Sequence, residues 1–321
     1  MRTTSSAHRE DASNPDAHHH DDARRGVLAG LTAYLVWGLL TIYWKRLRHL
    51  QAFDLIGWRI ISSSVIMATI LTVRGRWRHL LPVLRDRRLL GRVAISAVLL
   101  TINWSSYVWT VVHGRLMETA LGYFMAPLGT MLIGVVVFGE RLRAAQRVAV
   151  ALAIAAIVVL TVSYGAVPWL ALFLAISWSL YGWTKKSVPL TALESMSAET
   201  LLLLVPAVIL VAALSGRSDS VHASTATSQI VLVAVSGFAT VIPLMMFAFA
   251  ASRVPLTALG PMQYIIPSIN FLLGWLIYDE DLPVSRVVGF TLVWIGLAIL
   301  TVDSLRRARR SLPADPLIAA T

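Results

Sequence analysis

The sequence has no cysteine, which excludes disulfides, thiolate metal sites and cysteine nucleophiles. It is also poor in charge: 14% of its 321 residues are charged, where soluble proteins carry about 25%. A soluble fold that is 57% hydrophobic would have too few polar groups to cover its surface. Alternating apolar segments of about ten residues, the mark of a transmembrane barrel, are absent as well. Acid is scarcer than base, with 17 Asp and Glu against 28 Lys and Arg and a net charge of +11. In a soluble protein that excess suggests nucleic acid, but here the basic residues sit in the breaks between apolar runs. Lipid topology explains that distribution, and no nucleic-acid partner is expected. No cleavable signal sequence is expected before the first run, and the polar residues 1–23 read as disordered. His18, His19 and His20 beside Asp21 and Asp22 are a weak metal set by composition alone. They read as solvated tail, so neither a metal site nor a cofactor is expected.

What the sequence does have is apolar runs of about 20 residues, enough to cross about 30 Å of hydrocarbon. Ten spans are expected, at roughly 26–44, 54–73, 93–113, 118–138, 147–164, 167–184, 195–214, 230–250, 257–278 and 284–302. Lys and Arg set their orientation. With the N-terminus inside, 21 of these residues fall in inside segments, including seven from Arg74 to Arg92. Six fall in outside loops, and Arg59 lies within a span. Both termini are therefore expected in the cytoplasm, with the spans in the plasma membrane.

One phrase occurs twice. Thr119-Ala120-Leu121-Gly122, with Pro127, Gly134, Glu140 and Leu142, returns as Thr257-Ala258-Leu259-Gly260, with Pro267, Gly274, Glu280 and Leu282. From the prolines onward the offset is constant at 140 residues. The repeat unit holds five spans, and five is odd, so the second copy must be inserted upside down. The expected fold is an all-α membrane protein of ten transmembrane helices in two inverted five-helix repeats. Residues 1–25 form a tail, 26–164 the first repeat, 165–304 the second and 305–321 a cytoplasmic tail. In carriers built this way the site lies between the repeats near mid-membrane.

Pro127 and Pro267 would each free a carbonyl four residues earlier, at Tyr123 and Gln263. A freed carbonyl avoids lipid, so these helix kinks either pack against protein or line a wet cavity beside Tyr123, Gln263 and Tyr264. Charges inside spans are costly and usually functional. Arg59 and Glu199 fall at the same offset of 140, so the repeat sets opposite charges at matched points. Each either serves the site or snorkels to the interface, and Glu199 is the candidate for proton coupling. Lys45 and Lys185, also 140 apart, read as interfacial anchors. Glu140 and Glu280 close spans four and nine, where bridging a basic loop or capping the next helix suits them better than substrate contact. Asn103 and Tyr107 share a helix face, and Trp178 and Tyr181 carry a second aromatic stripe. A lining of that kind suits amphipathic or cationic organic molecules, though such stripes also serve plain packing. Spans five and ten are almost free of polar side chains and read as helix-packing elements with a candidate homodimer contact.

At these residues the chain resembles the RarD-type branch of the EamA family, in the drug/metabolite transporter superfamily. The resemblance covers roughly 25–305. In the first half it rests on Trp37-Gly38, Tyr43 with Lys45, Trp58-Arg59, Asn103-Trp104, Glu118, Leu121-Gly122-Tyr123-Phe124 with Pro127-Leu128, and Gly139-Glu140-Arg141. In the second half it rests on Tyr181-Gly182 with Lys185-Lys186, Glu199-Thr200, and Gln263-Tyr264-Ile265 with Pro267. It implies two inverted five-helix repeats, a central cavity from the first four helices of each half, and export of small metabolites or drugs. Two positions depart from the family pattern: Thr41 stands where a proline is expected, and Asp279-Glu280 replaces Gly-Glu.

The expected function is secondary-active transport of a small-molecule substrate by alternating access. A membrane scaffold or receptor subunit is the alternative, though inversion is hard to motivate for it. A membrane-embedded enzyme is disfavoured: the spans offer one carboxylate, Glu199, and His113 only at a span end.

Overall fold

The computed structural model describes residues 15–139, 141–186, 188–224, 226–251, 253 and 262–310. They form helices and short connections, with no strand among the described residues. The helices are α1 (Pro15–Arg46), α2 (Ala52–Val73), α3 (Leu81–Arg85), α4 (Arg87–Val112), α5 (Leu116–Phe138) and α6 (Ala144–Tyr164). They continue as α7 (Trp169–Lys186), α8 (Ala192–Leu214), α9 (Thr227–Ala234), α10 (Ser236–Ala251), α11 (Ile265–Leu272) and α12 (Val284–Arg310). A 3-10 turn at Trp77–Leu80 leads into α3, and a wider π turn at Leu273–Ile277 extends α11.

Local chemistry fixes the ends. Asp86 caps α4, accepting the Arg88 and Leu89 N–H groups at 2.8 and 3.3 Å. Thr191 and Glu194 form a reciprocal capping box at the start of α8. Gly165 ends α6 with φ 64°, the left-handed turn that glycine adopts without strain.

Among the described residues, eight helical stretches are long and apolar enough to cross a membrane. The two expected spans not among them are the sixth, α7, and the ninth, the α11 segment. α7 ends in the polar run Trp183-Thr184-Lys185-Lys186, and the apolar helix Ile265–Ile277 is short. The second copy of the repeated phrase, Thr257 to Gly260, lies outside the described residues, as does Glu140. The expected span 230–250 is interrupted at Val235, between α9 and α10. The first helix begins at Pro15, inside the stretch expected to be disordered. Proline suits a first helical position because its missing N–H would be unpaired there anyway.

Helices meet where small residues let them. Gly122 of α5 faces the backbone of Ala171 on α7, and Gly129 faces Ser179. Gly289 and Gly296 of α12 lie against Leu160 and Ala149 of α6, so the two least polar spans pack on each other. Helices α2 and α8 cross antiparallel: Ser64 Oγ donates to the Thr200 carbonyl at 2.8 Å, while Gly57 meets Val211.

Connections sort to two ends. At one, the Gln51 N–H donates to the Asp219 carbonyl at 2.8 Å, and the Val221 N–H donates to Asp54 Oδ2 at 2.7 Å. Lys45 at that end lies 5.0 Å over the Tyr278 ring, and Glu280 reaches the start of α5. At the other end His79 pairs with Glu194 at 3.0 Å and Arg143 with Asp303 at 3.1 Å.

Candidate functional site

Of the buried charged residues, two lie beyond the first turns of their helices. The first is Glu199 on α8, with its side chain fully buried. Lys185 Nζ of α7 donates to its Oε1 at 2.5 Å, and Ser96 Oγ of α4 donates to the same oxygen at 2.7 Å. Tyr181 OH approaches Oε2 at 3.4 Å, and Ser195 Oγ lies 3.4 Å from Oε1. Three helices thus converge on one carboxylate. Lys185 keeps a side-chain exposure of 28% while Glu199 has none, so the pair has one wet member and one dry one.

The second charge is Arg59 on α2, 5% exposed. Its guanidinium carbon lies 4.0 Å from the centre of the Trp104 ring and 5.2 Å from that of Trp44. Arg59 Nε donates to Thr240 Oγ1 of α10 at 2.8 Å. Stacking of this kind softens a desolvated cation without neutralising it.

A chain of hydrogen bonds and ring contacts leads from Asn270 to Glu199. Thr41 Oγ1 donates to Asn270 Oδ1 at 2.5 Å and sits 2.9 Å from Tyr107 OH. The Tyr107 ring lies 6.0 Å from that of Tyr123, whose hydroxyl donates to Asn103 Oδ1 at 3.0 Å. Asn103 Nδ2 in turn donates to the Leu174 carbonyl and to Ser177 Oγ on α7, at 3.2 and 3.0 Å. Tyr123 meets Trp178 edge-on at 6.1 Å, and Trp178 lies 5.6 Å from Tyr181, which reaches Glu199.

Residues 24–162 match the EamA-like transporter family. The chain is 41% identical to the RarD protein of Streptomyces exfoliatus over 94% of its own length and 97% of the relative's. The chain is a RarD-type member of the EamA-like transporter family. It is also 33% identical to YojE of Bacillus subtilis (strain 168), named an uncharacterized transporter, over 91% of this chain and 98% of that one. A solved structure titled only as a crystal structure of a protein shares the fold, with a TM-score of 0.56 at 19% identity. That match covers 88% of this chain and 98% of the other.

In this RarD-type chain the structure joins Asn103, Tyr107, Tyr123, Trp178, Tyr181 and Glu199 into one network. Arg59 does not meet Glu199: α2 and α8 cross between them, and each charge has its own partners. Tyr264 stacks on Phe124 at 6.3 Å, in an aromatic group with Phe271, Phe290 and Trp294 rather than with Tyr123. Gln263 is half-buried just ahead of α11. Pro127 lies inside the continuous α5, while Pro267 sits in the first turn of α11.

Other parts of the network were not singled out from the sequence. Ser96, Thr240 and Asn270 are single polar residues in largely apolar runs, and Ser195 is one of several polar residues from Glu194 to Thr200, so no spacing marks any of them. Lys185 reads from the sequence as an interfacial anchor because it lies near a helix end; the structure pairs it with Glu199. Thr41 was marked by departing from the family pattern; its hydroxyl links Tyr107 to Asn270, which a proline cannot do.

Two surface clefts lie at the end where Glu280 meets α5. The larger, about 750 Å³, is lined by Arg115, Glu118, Trp169, Asp279 and Arg286 among others, and the smaller, about 270 Å³, by Lys45, Arg48 and Tyr278. Neither reaches Arg59 or Glu199. Among the described residues no group of three or more His, Asp or Glu is placed to hold a metal.

Proposed function

We propose that the chain is a secondary-active carrier that exports small metabolites or drugs by alternating access, built from ten helices in two inverted five-helix repeats. One observation carries the reading: the larger helix contacts recur when the halves are exchanged. Displaced by 140 residues, α2 falls on α8, α6 on α12, α4 on α9 with α10, α5 on the α11 segment, and the last half of α1 on α7. Helices α2 and α8 pack on each other, as do α6 and α12. The contact of α5 with α7 has its counterpart in α1 with α11, and that of α4 with α7 in α1 with α10. The contact of α2 with α10 is matched by α4 with α8. A pseudo-two-fold axis of that kind lets the two halves trade the open and closed roles about a central site.

Asn103, Tyr107, Tyr123, Trp178, Tyr181, Arg59 and Glu199 would line that site, with Gln263 and Tyr264 contributing from the α11 side. The end held by Asp54–Val221, Gln51–Asp219 and Glu280–Leu116 is the tied end. The basic end faces the cytoplasm of a plasma-membrane protein with both termini inside, in keeping with its excess of Lys and Arg. Glu199 is the coupling group: an incoming proton would neutralise it and release Lys185, loosening α7 from α8. A polar group of the substrate could take the place of either partner. The outward faces of α6 and α12 meet lipid, or a second copy in a homodimer.

Purified protein in liposomes, screened for counterflow of labelled solutes, tests transport itself. Glu199→Gln is expected to abolish uptake driven by a pH gradient in inverted vesicles while leaving counterflow. Full gradient-driven uptake by Glu199→Gln would remove the coupling role.

A further inference from the structure

Arg59 is a cation without an anion. It lies inside a membrane-spanning helix at 5% exposure, where an unpaired charge is costly and usually marks a substrate path. Among the described residues no carboxylate pairs with it. Glu199 is engaged by Lys185, and Asp54 spends Oδ2 on the Val221 N–H. Its partners are the Thr240 hydroxyl and the rings of Trp44 and Trp104, none of them an anion. Among the buried polar atoms without a partner, alongside Asp54 Oδ1, Trp58 Nε1 and the hydroxyls of Ser63 and Ser236, are Nε1 of Trp44, whose ring flanks the guanidinium, and Nδ2 of Asn270, linked through Thr41 to Tyr107. The guanidinium and Trp44 Nε1 are thus adjoining buried donors with no anion to receive them. An acceptor-rich anion would answer both, and a cation would be repelled.

We propose that Arg59 is the anion-binding residue of the substrate site, receiving the carboxylate or phosphate of a small aromatic anion whose ring packs among Trp44, Trp104, Tyr107 and Tyr123. The inference rests on the transport reading and narrows it, against the expectation of cationic substrates. The guanidinium fork suits either oxyanion, and the surrounding rings suit an aromatic body. The competing role for Arg59 is structural: its contacts with Trp44, Trp104 and Thr240 tie α2 to α1, α4 and α10. A structural tie has no reason to distinguish an anion from its neutral isostere.

The test titrates phenylacetate, phenyl phosphate and the neutral phenylacetamide into purified protein. Binding is read from tryptophan fluorescence and from the unfolding temperature. At least one anion is expected to bind where the amide does not, and the stronger anion tells carboxylate from phosphate. Arg59→Gln is expected to lose about tenfold to a hundredfold in anion affinity, the worth of a charged hydrogen bond, with Arg59→Lys between. Should Arg59→Gln not fold, Tyr123→Cys on the cysteine-free background supplies a second reading: the anion slows its labelling by a soluble thiol reagent and the amide does not. Equal binding of anion and amide, an affinity unchanged in Arg59→Gln, no response to either anion, or an unprotected Tyr123→Cys overturns the proposal. Counterflow of a neutral or cationic solute alongside those results leaves the carrier standing and removes only this site. Anion binding without counterflow of any solute removes the carrier and leaves the site.

Discussion

The Glu280 carboxylate closes the N-terminus of α5 from the far end of the chain: its Oε1 accepts the Leu116 N–H at 2.5 Å. Its Oε2 accepts the Met117 N–H at 3.0 Å. A helix N-terminus offers unpaired N–H groups and partial positive charge, and a carboxylate answers both. The sequence shows Glu280 at the end of its own segment, where a negative charge is poorly placed. The structure gives that charge to another helix, across 164 residues of chain. The contact joins the segment after α11 to the start of α5.

Replacing Glu280 separates its two functions. Glu280→Ala leaves both N–H groups to water from the adjoining cleft, so the expected loss of stability is about 1 kcal/mol, as for other lost caps. Burial raises the Glu280 pKa above the usual carboxylate value, while the Met117 and Leu116 N–H groups, Arg286 and Lys45 pull the other way. The folded state therefore holds the proton more tightly than the unfolded one. Stability from this group is full below the ordinary carboxylate range and is lost as pH rises through the elevated value. Glu280→Gln cannot titrate. The unfolding temperature of wild type relative to Glu280→Gln should fall as pH is raised from acid to neutral; a difference that grows instead contradicts this assignment.

Lys185 and Glu199 should behave as a unit. Lys185→Met strands a fully buried carboxylate, a defect of about 3–5 kcal/mol when a buried pair is broken on one side. The second change, Glu199→Gln, removes the stranded charge and should recover much of the loss. A double-mutant cycle on unfolding temperature in detergent measures the coupling. Additive single changes would mean that the 2.5 Å contact contributes nothing.

The architecture was legible because it depends on composition and period. Apolar runs, loop charge and a constant offset are long-range statistics that survive local noise, and the offset of 140 falls on matched helices throughout. Members of the buried polar network were legible where a residue is unusual for its surroundings: Arg59, Glu199, Asn103 and the tyrosines stand out in an apolar span. Ser96 and Thr240 do not, because a lone hydroxyl in a membrane helix normally bonds to its own backbone one turn back. Only the fold reveals that theirs reach a carboxylate and a guanidinium. Tyr264 illustrates the converse. Repetition marks it, yet side-chain direction depends on helical phase, and the residues that fix that phase start at Ile265.

Topology follows from the sorting of connections. Reporter fusions at the 74–86 segment, at the α7–α8 connection and at the C-terminus should all report the cytoplasm. Fusions at Arg217 and at Asp281 should report the outside. His79 binds Glu194 at one end and Gln51 binds Asp219 at the other, so the two sets cannot mix without breaking these contacts. A cytoplasmic signal at Arg217 together with an outside signal at the 74–86 segment would reverse the whole orientation.

Glycines provide the sharpest test of helix packing, because the same substitution should have opposite signs at different positions. At Gly237 of α10 an added Cβ would lie 2.6 Å from the Ser62 carbonyl carbon and 2.7 Å from the Ser63 nitrogen. Those atoms belong to the backbone of α2 and cannot rotate aside. At Gly122 the Ala171 carbonyl oxygen and Leu174 Cβ would each lie at 2.9 Å. Relief in both cases requires one helix to move off another, so alanine should cost about 1–3 kcal/mol, as overpacking does. Gly91 is also helical, in the first turns of α4, but an added Cβ there meets nothing within 4 Å. Alanine at Gly91 has only the helix-propensity gain to express, up to about 1 kcal/mol of stabilisation. Unfolding temperatures of the three variants in one detergent should rank Gly91→Ala above wild type, with Gly122→Ala and Gly237→Ala below. The contacts of α5 with α7 and of α10 with α2 correspond to different repeat pairings, so a normal Gly237→Ala beside a damaged Gly122→Ala would reject the α2–α10 approach alone.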